Sequence, residues 1–147
     1  MATVKAVNYT KGDNPYGSNQ VDVNLQYGKV RFIYDTYEAA SLADASVIKV
    51  ARLPKGAVVL PNSFIVHDAL GSGVTLALGD DDDTDSADAD RYLEATSAAS
   101  AGVIQLNDAA TCVDKVPYAV QKDCNLTCTV ADEVTGTIKF FIFIAVE

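Results

Sequence analysis

Apolar and polar residues alternate with a period of two along most of this 147-residue chain. The alternation is clearest at residues 29–36, 74–78, 116–120 and 126–130. Successive side chains of a β-strand point to opposite faces, so this pattern predicts strands that bury one face. Shorter apolar runs predict further strands, at residues 48–50, 57–60, 64–66, 92–93, 103–106 and 138–146.

Turn-forming residues separate these runs, as at Pro54-Lys55-Gly56 and Gly71-Ser72-Gly73. Many short strands with regular turns predict an all-β fold, and the fold class we expect is a jelly-roll-like β-sandwich of about eight strands. Only the segment from Tyr37 to Ser46 has a helix-like composition.

The phase of the alternation also predicts which aromatic side chains are buried. Phe32, Tyr34, Tyr118 and Phe140 all occupy the apolar phase of their predicted strands. We therefore expect them to pack in the core rather than to form a binding platform.

The two ends of the chain depart from the alternation. Residues 1–28 are polar and rich in turn residues, and we expect an extended N-terminal arm there, with residues 29–147 forming a single β-sandwich domain. Tyr9, Tyr16 and Tyr27 lie in this arm, where aromatic side chains are expected to pack against a partner. At the other end, the last strand is apolar on both faces. It is either central in a sheet or covered by another chain, and we favour the central position.

Charge excludes several functions. The chain has 20 acidic and 11 basic residues, a net charge of −9, and 49% apolar residues. This composition is typical of a folded domain, and the shortage of clustered Lys and Arg argues against nucleic-acid and membrane-surface partners. The first 15 residues contain no apolar segment of the kind found in secretory signals, so we expect a cytoplasmic site of synthesis.

Two of the three cysteines lie in one predicted strand. Cys124 and Cys128 are four residues apart, about 13 Å at strand spacing, which is too far for a disulfide. Their phase matches that of Leu126 and Val130, so both are expected in the core. A bond from Cys112 to either one stays open.

Seven of the eleven residues from Asp80 to Asp90 are aspartates. Asp81, Asp83 and Asp85 alternate like the first ligands of a calcium loop, but the glycine of the tight turn and the closing glutamate are missing. We favour a solvated acidic loop between strands over a calcium site or a charged docking surface. The sequence therefore predicts no bound metal and no cofactor.

Catalytic patterns are absent from the sequence. The single histidine, His67, follows a predicted strand, and no GxSxG nucleophile motif or phosphate-binding loop occurs. His67 is expected to be a strand-end or core residue. We expect the protein to act by binding and not as an enzyme.

Four stretches resemble a known class of proteins. The run ARLPKGAVV at 51–59 is followed by GVTLALGD at 73–80, then by DADRYL at 88–93 and a small-residue stretch at 95–102. This order resembles head decoration, or cement, proteins of tailed bacteriophages, over about a third of the chain.

The resemblance implies a virion protein on the capsid exterior, assembled in the host cytoplasm. Such a protein would bind the major capsid protein, associate with itself as a homodimer or homotrimer, and stabilise the shell against the pressure of packaged DNA. No catalytic residue is implied. Our predicted contact residues are Tyr9, Tyr16 and Tyr27 in the arm and Phe141 and Phe143 in the last strand.

Two alternatives stay open. One is a carbohydrate-binding jelly-roll module, with calcium held by the aspartate loop. A lectin of this kind would expose aromatic side chains on one face. The other is a different virion component, such as the base of a head fibre or part of the tail.

Overall fold

The computed structural model describes residues 28–82, 87–107 and 117–147. These ranges contain no helix and nine strands: β1 (Lys29–Leu42), β2 (Val47–Leu53), β3 (Val58–Val59), β4 (Phe64–His67), β5 (Thr75–Asp80), β6 (Asp88–Ser97), β7 (Gly102–Gln105), β8 (Cys124–Ala131) and β9 (Val134–Val146).

All pairings are antiparallel, and the strands form two sheets. The five-stranded sheet has the order β1-β9-β4-β7, with the short β3 also paired to β9. The four-stranded sheet has the order β2-β8-β5-β6.

The topology is that of a long antiparallel β-ribbon that folds back into two sheets. β1 pairs with β9, β2 with β8, β4 with β7, and β5 with β6, so the second half of the chain runs back along the first. Pairing of β4 with β9 and of β5 with β8 joins these ribbons into two sheets. An antiparallel ribbon folded into two packed sheets is a jelly roll, which confirms the predicted fold class.

The core lies between the two sheets. Four inward side chains of β9 are at most 3% exposed, namely Ile138, Phe140, Ile142 and Ile144. They share one apolar cluster with inward residues of the opposite sheet, including Leu76, Leu78, Leu126 and Val130. The central position predicted for the last strand is therefore confirmed, since β9 lies between β1 and β4.

Cys124 and Cys128 belong to this core as expected. They are 8% and 0% exposed and carry free thiols. Burial raises the pKa of each thiol to about 12, and nearby aspartates add to the shift at Cys124. Both thiols are therefore protonated and unreactive at neutral pH. Cys112 lies outside the described residues.

The segment from Tyr37 to Ser46, which has a helix-like composition, contains no helix. β1 continues to Leu42 and keeps its pairing with β9, with a bulge between Ala39 and Leu42. Ser41 lies in this bulge at a φ of 53°. The ladder with β9 and the burial of Ala39 outweigh the local helix propensity of this Ala-rich stretch.

The strand predicted at 116–120 is also absent from its described part, residues 117–120. Ala119 makes only an isolated bridge with Val58. The Val120 amide donates to the Ala57 carbonyl, and the Gly56 amide donates to the Val120 carbonyl. This segment is a loop that is hydrogen-bonded to the turn between β2 and β3.

β1 begins at Lys29, and residues 1–27 of the predicted arm lie outside the described residues. In the described ranges, no helix is long and apolar enough to cross a membrane.

Candidate interaction surface

The acidic run lies where the jelly-roll ribbon turns back, between β5 and β6. Asp80 ends β5 and is paired in register with Asp88, which begins β6. A Cβ atom on Gly79 would lie 1.9 Å from the Asp88 carbonyl oxygen. Only glycine permits this approach of the two backbones, so Gly79 fixes the geometry at the tip of the ribbon.

Asp80 is the buried centre of this tip. Its side chain is 0% exposed and receives hydrogen bonds from the Tyr92 hydroxyl at 2.6 Å and from Arg91 Nε at 2.9 Å. Burial, followed by the hydrogen bond to Asp80, raises the pKa of Tyr92 far above its ordinary value. Tyr92 therefore stays a hydroxyl donor at any physiological pH.

The next two aspartates bind the start of β8 and the loop that precedes it. The Gln121 amide donates to Asp82 Oδ2 at 2.7 Å, and Asp82 is 0% exposed. Asp81 accepts hydrogen bonds from the backbone amide of Asn125 and, at 2.7 Å, from its Nδ2. These carboxylates serve as acceptors that hold the β5–β6 tip against the 117–125 segment.

The guanidinium of Arg91 completes the network. Its Cζ atom lies 3.9 Å from the centroid of the Tyr118 ring, in a cation–π contact. Tyr118 is thus half-buried on the core and in contact with the acidic tip, as expected for a packed aromatic.

Of the three candidate calcium ligands, only Asp81 lies in the described residues. Both of its carboxylate oxygens are occupied by Asn125. No group of three His, Cys, Asp or Glu side chains suited to a metal ion occurs in the described ranges. Asp83 and Asp85 lie outside these ranges.

The lowered pKa of Asp81 makes the stability of the fold depend on pH in the acid range. Burial alone would raise its pKa, but hydrogen bonds from Asn125 and the charge of Lys49 lower it below the ordinary value of 3.8. Its ionised form therefore stabilises the fold above pH 3.8, and this contribution is lost as the pH falls through the lowered pKa.

We expect Asp81→Asn to be less stable than the wild type at neutral pH, and the difference to shrink as the solution is acidified below pH 3.8. Urea unfolding of both proteins at a series of pH values measures this difference. A gap that is the same at every pH would contradict it.

A cluster of aromatic rings covers the outer face of the five-stranded sheet. Phe141 lies at its centre and stacks on Phe64, with ring centroids 4.7 Å apart and planes at 10°. Tyr34 lies 5.1 Å from Phe141, and Phe32 lies 5.1 Å from Phe143. We call these five rings the aromatic face.

The predicted burial of Phe32 and Tyr34 is therefore wrong, whereas that of Phe140 is correct. Phe32 is 55% and Tyr34 is 51% exposed, while Phe140 is 1% exposed. The register explains the difference. Phe32 and Tyr34 pair with Phe143 and Phe141, which lie on the outer side of β9.

Aliphatic side chains extend the aromatic face along the same sheet. Val30 is 61% exposed on β1, and Val103 is 56% exposed on β7, where it pairs with Val66. Large exposed apolar patches are uncommon on monomeric soluble proteins and are typical of interaction sites.

Solved structures with a similar fold are parts of phage capsids. A chain of the cyanophage Pam1 capsid asymmetric unit is 20% identical with a TM-score of 0.58, and the match covers 82% of this chain and 86% of that one. A chain of the Ralstonia phage GP4 capsid is 16% identical with a TM-score of 0.62 and the same coverage. The fold is one found in phage capsids. No family model matches the sequence, and no curated protein matches it significantly.

Two of the five predicted contact residues lie on the outer face of the five-stranded sheet. Phe141 and Phe143 are both half-buried within the aromatic face. Tyr9, Tyr16 and Tyr27 lie outside the described residues. Sequence reasoning missed Phe32 and Tyr34 as surface residues, because the alternation of β1 is equally compatible with either face pointing outward. It missed Phe64 because residues 64–66 are apolar at every position and give no alternation.

His67 ends β4 and is 5% exposed, as expected of a strand-end residue. Its Nδ1 atom lies 2.8 Å from the Asp68 carbonyl oxygen. The aromatic face, and not the histidine, is therefore the best candidate for a functional surface among the described residues.

Proposed function

We propose that this chain is a phage capsid decoration protein, which binds the outer surface of the major capsid shell and stabilises it against internal DNA pressure. The fold supports the proposal, because two of its structural neighbours are chains of phage capsids. The covered shares of the two chains in each match are nearly equal, so those neighbours are also of about the same length. The resemblance of residues 51–102 to decoration proteins points the same way.

The observation that carries the proposal is the aromatic face. Exposing Phe32, Tyr34 and Val30 to water is unfavourable for an isolated chain, and burial against a partner reverses that cost. Clustered aromatic side chains are also the residues that dominate binding energy at protein interfaces. We infer that the major capsid protein covers this face, with Phe141 at its centre.

The electrostatics agree with a protein partner on the capsid exterior. A net charge of −9 disfavours contact with the packaged DNA, and neither a nucleic acid nor a membrane is proposed as a partner. The location that we propose is the outside of the virion, after assembly in the host cytoplasm. In this function the protein acts by binding and not by catalysis.

Removal of the central rings tests the proposal. We expect Phe141→Ser and Phe143→Ser each to weaken capsid binding by about 2 kcal/mol, a roughly thirtyfold loss of affinity. Val47→Ser is the matched control, because Val47 is 56% exposed but lies on β2 in the other sheet.

Co-sedimentation with undecorated shells measures the affinity, and circular dichroism confirms that each variant is folded. Unchanged binding of both phenylalanine variants would rule out the aromatic face as the capsid contact. The proposed arm contact, through Tyr9, Tyr16 and Tyr27, has a separate test. A chain that lacks residues 1–20 is expected to remain folded and to bind shells less tightly.

One observation favours a second candidate, a carbohydrate-binding module. Exposed aromatic rings on one face of a jelly roll are what such a module requires, and the Tyr34 hydroxyl adds a polar group to that face. A glycan array with and without chelator distinguishes the two candidates. Saturable glycan binding that Phe141→Ser abolishes would favour the module.

A further inference from the structure

β1 is a long edge strand of the five-stranded sheet. Its 14 residues pair with β9 on one side, and within residues 28–82, 87–107 and 117–147 no strand pairs with its other side. An edge of this length presents a row of backbone amide and carbonyl groups to any strand that matches it. The question is which strand matches this edge.

The charges along β1 divide it into a basic and an acidic half. Lys29 and Arg31 precede Ile33, and Asp35 and Glu38 follow it. All four charged side chains are exposed. Arg31 and Asp35 are four residues apart, about 13 Å in an extended strand, so they do not reach each other within one chain.

A second copy of β1 running antiparallel is the complement of this pattern. With Ile33 opposite Ile33 of the second copy, Arg31 lies opposite Asp35, and the pair occurs twice because of the two-fold symmetry. Phe32 then lies opposite Tyr34, also twice. Cross-strand pairs of opposite charge and of aromatic rings are both stabilising in antiparallel sheets.

The neighbouring registers are less favourable. Antiparallel pairing permits a shift of the centre by one residue to Phe32 or to Tyr34, with the side-chain faces kept in phase. Centred on Phe32, Lys29 would lie opposite Asp35, but Arg31 would lie opposite the apolar Ile33 and its charge would be left without a cross-strand partner. Centred on Tyr34, neither Arg31 nor Asp35 would lie opposite a residue of opposite charge.

We propose that two copies of this chain associate through antiparallel pairing of their β1 edges about a two-fold axis at Ile33. The two five-stranded sheets then become one continuous sheet, and both aromatic faces lie on the same side of it. Across the interface, four aromatic side chains then lie side by side on neighbouring strands. They are Phe143 and Phe32 of one copy, followed by Tyr34 and Phe141 of the second copy. The pairing is a property of the isolated chain and does not depend on capsid binding.

Charge reversal tests the pairing. Arg31→Glu places two acidic residues opposite each other twice, and Asp35→Arg does the same with two basic residues. We expect each single variant to dissociate at least about tenfold more readily than the wild type, because attraction becomes repulsion at two symmetric positions. The double variant Arg31→Glu/Asp35→Arg restores the pairing and keeps the net charge of −9, so its recovery is not an effect of net charge.

Sedimentation equilibrium of the full-length proteins, without capsids, measures the dissociation constants. Lys55→Glu, in the turn between β2 and β3, is the matched control and is expected to leave the dimer unchanged. A monomeric wild type would overturn the proposal, as would a dimer that the single reversals leave intact. The wild type would also be monomeric if residues 1–27 of the same chain paired with the β1 edge, so that result too would overturn the proposal.

A cysteine at the two-fold position provides a second test. Its readout is the formation of a covalent bond and not a weakening of the dimer. Residues directly opposite in antiparallel strands have Cα atoms about 4.5–5.5 Å apart, which suits a disulfide. Ile33→Cys is expected to form a covalent dimer under mild oxidation, seen on a non-reducing gel, at a higher yield than the wild type. A yield equal to that of the wild type would count against the Ile33 register.

Discussion

Replacing Asp80 with alanine is expected to lower the free energy of unfolding by about 3–5 kcal/mol, the cost typical of breaking a buried ion pair from one side. The Asp80 side chain is fully buried and accepts hydrogen bonds from Tyr92 and Arg91. Its removal deprives the buried Tyr92 hydroxyl and the largely buried Arg91 Nε of the acceptor that they share.

Urea unfolding at neutral pH measures this loss. Asp80→Asn is the informative companion variant, because it keeps the shape and an acceptor oxygen but removes the charge, and it should lie between the wild type and Asp80→Ala. Glu133→Ala removes an exposed carboxylate and should change stability by less than about 0.5 kcal/mol. If Asp80→Ala were as stable as Glu133→Ala, the network would not fasten the tip of the ribbon.

Phe140→Ala is expected to cost about 3–5 kcal/mol, whereas Phe32→Ala should cost about 1 kcal/mol. Phe140 is 1% exposed in the core, and its truncation leaves a cavity that close-packed neighbours fill only in part. Within one chain, Phe32 is 55% exposed and its truncation removes only its ring contacts with Phe141 and Phe143.

The same chemical change at the two positions isolates the effect of burial. The midpoints of urea denaturation give both free energies, with the wild type as reference. Equal costs at the two positions would mean that the outer face of the sheet is covered in the isolated protein, by a second copy or by another segment of the chain. Repetition at low protein concentration separates these two causes, because only a dimer dissociates on dilution.

The described aspartates of the acidic run and the aromatic face differ in their roles. Asp80, Asp81 and Asp82 are occupied by donors from the same chain and stabilise the ribbon tip. The aromatic face has few polar groups and lies on the outer side of a rigid sheet, where it is available to a partner. The first three aspartates of the acidic run are thus structural, and the proposed contact lies elsewhere.

Composition and alternation were sufficient for the fold class. The period of two at 74–78 and 126–130 matches β5 and β8, because a strand that forms one wall of a core must place every second side chain inward. The same reasoning placed Cys124 and Cys128 in the core correctly. It failed at residues 37–46, where local propensity favours a helix but the ladder with β9 provides more hydrogen bonds and burial.

The sequence by itself determined that this chain folds into β-sheets, because a two-residue period is compatible only with extended backbone. It also determined that the last strand is buried. Only the tertiary structure decided which phase of β1 faces water and which donors meet the aspartates. The first depends on register across more than 100 residues, such as Phe32 opposite Phe143. The second depends on contacts between residues 11 to 44 positions apart. Alternation along one strand carries no information about which of its two faces the second sheet will cover.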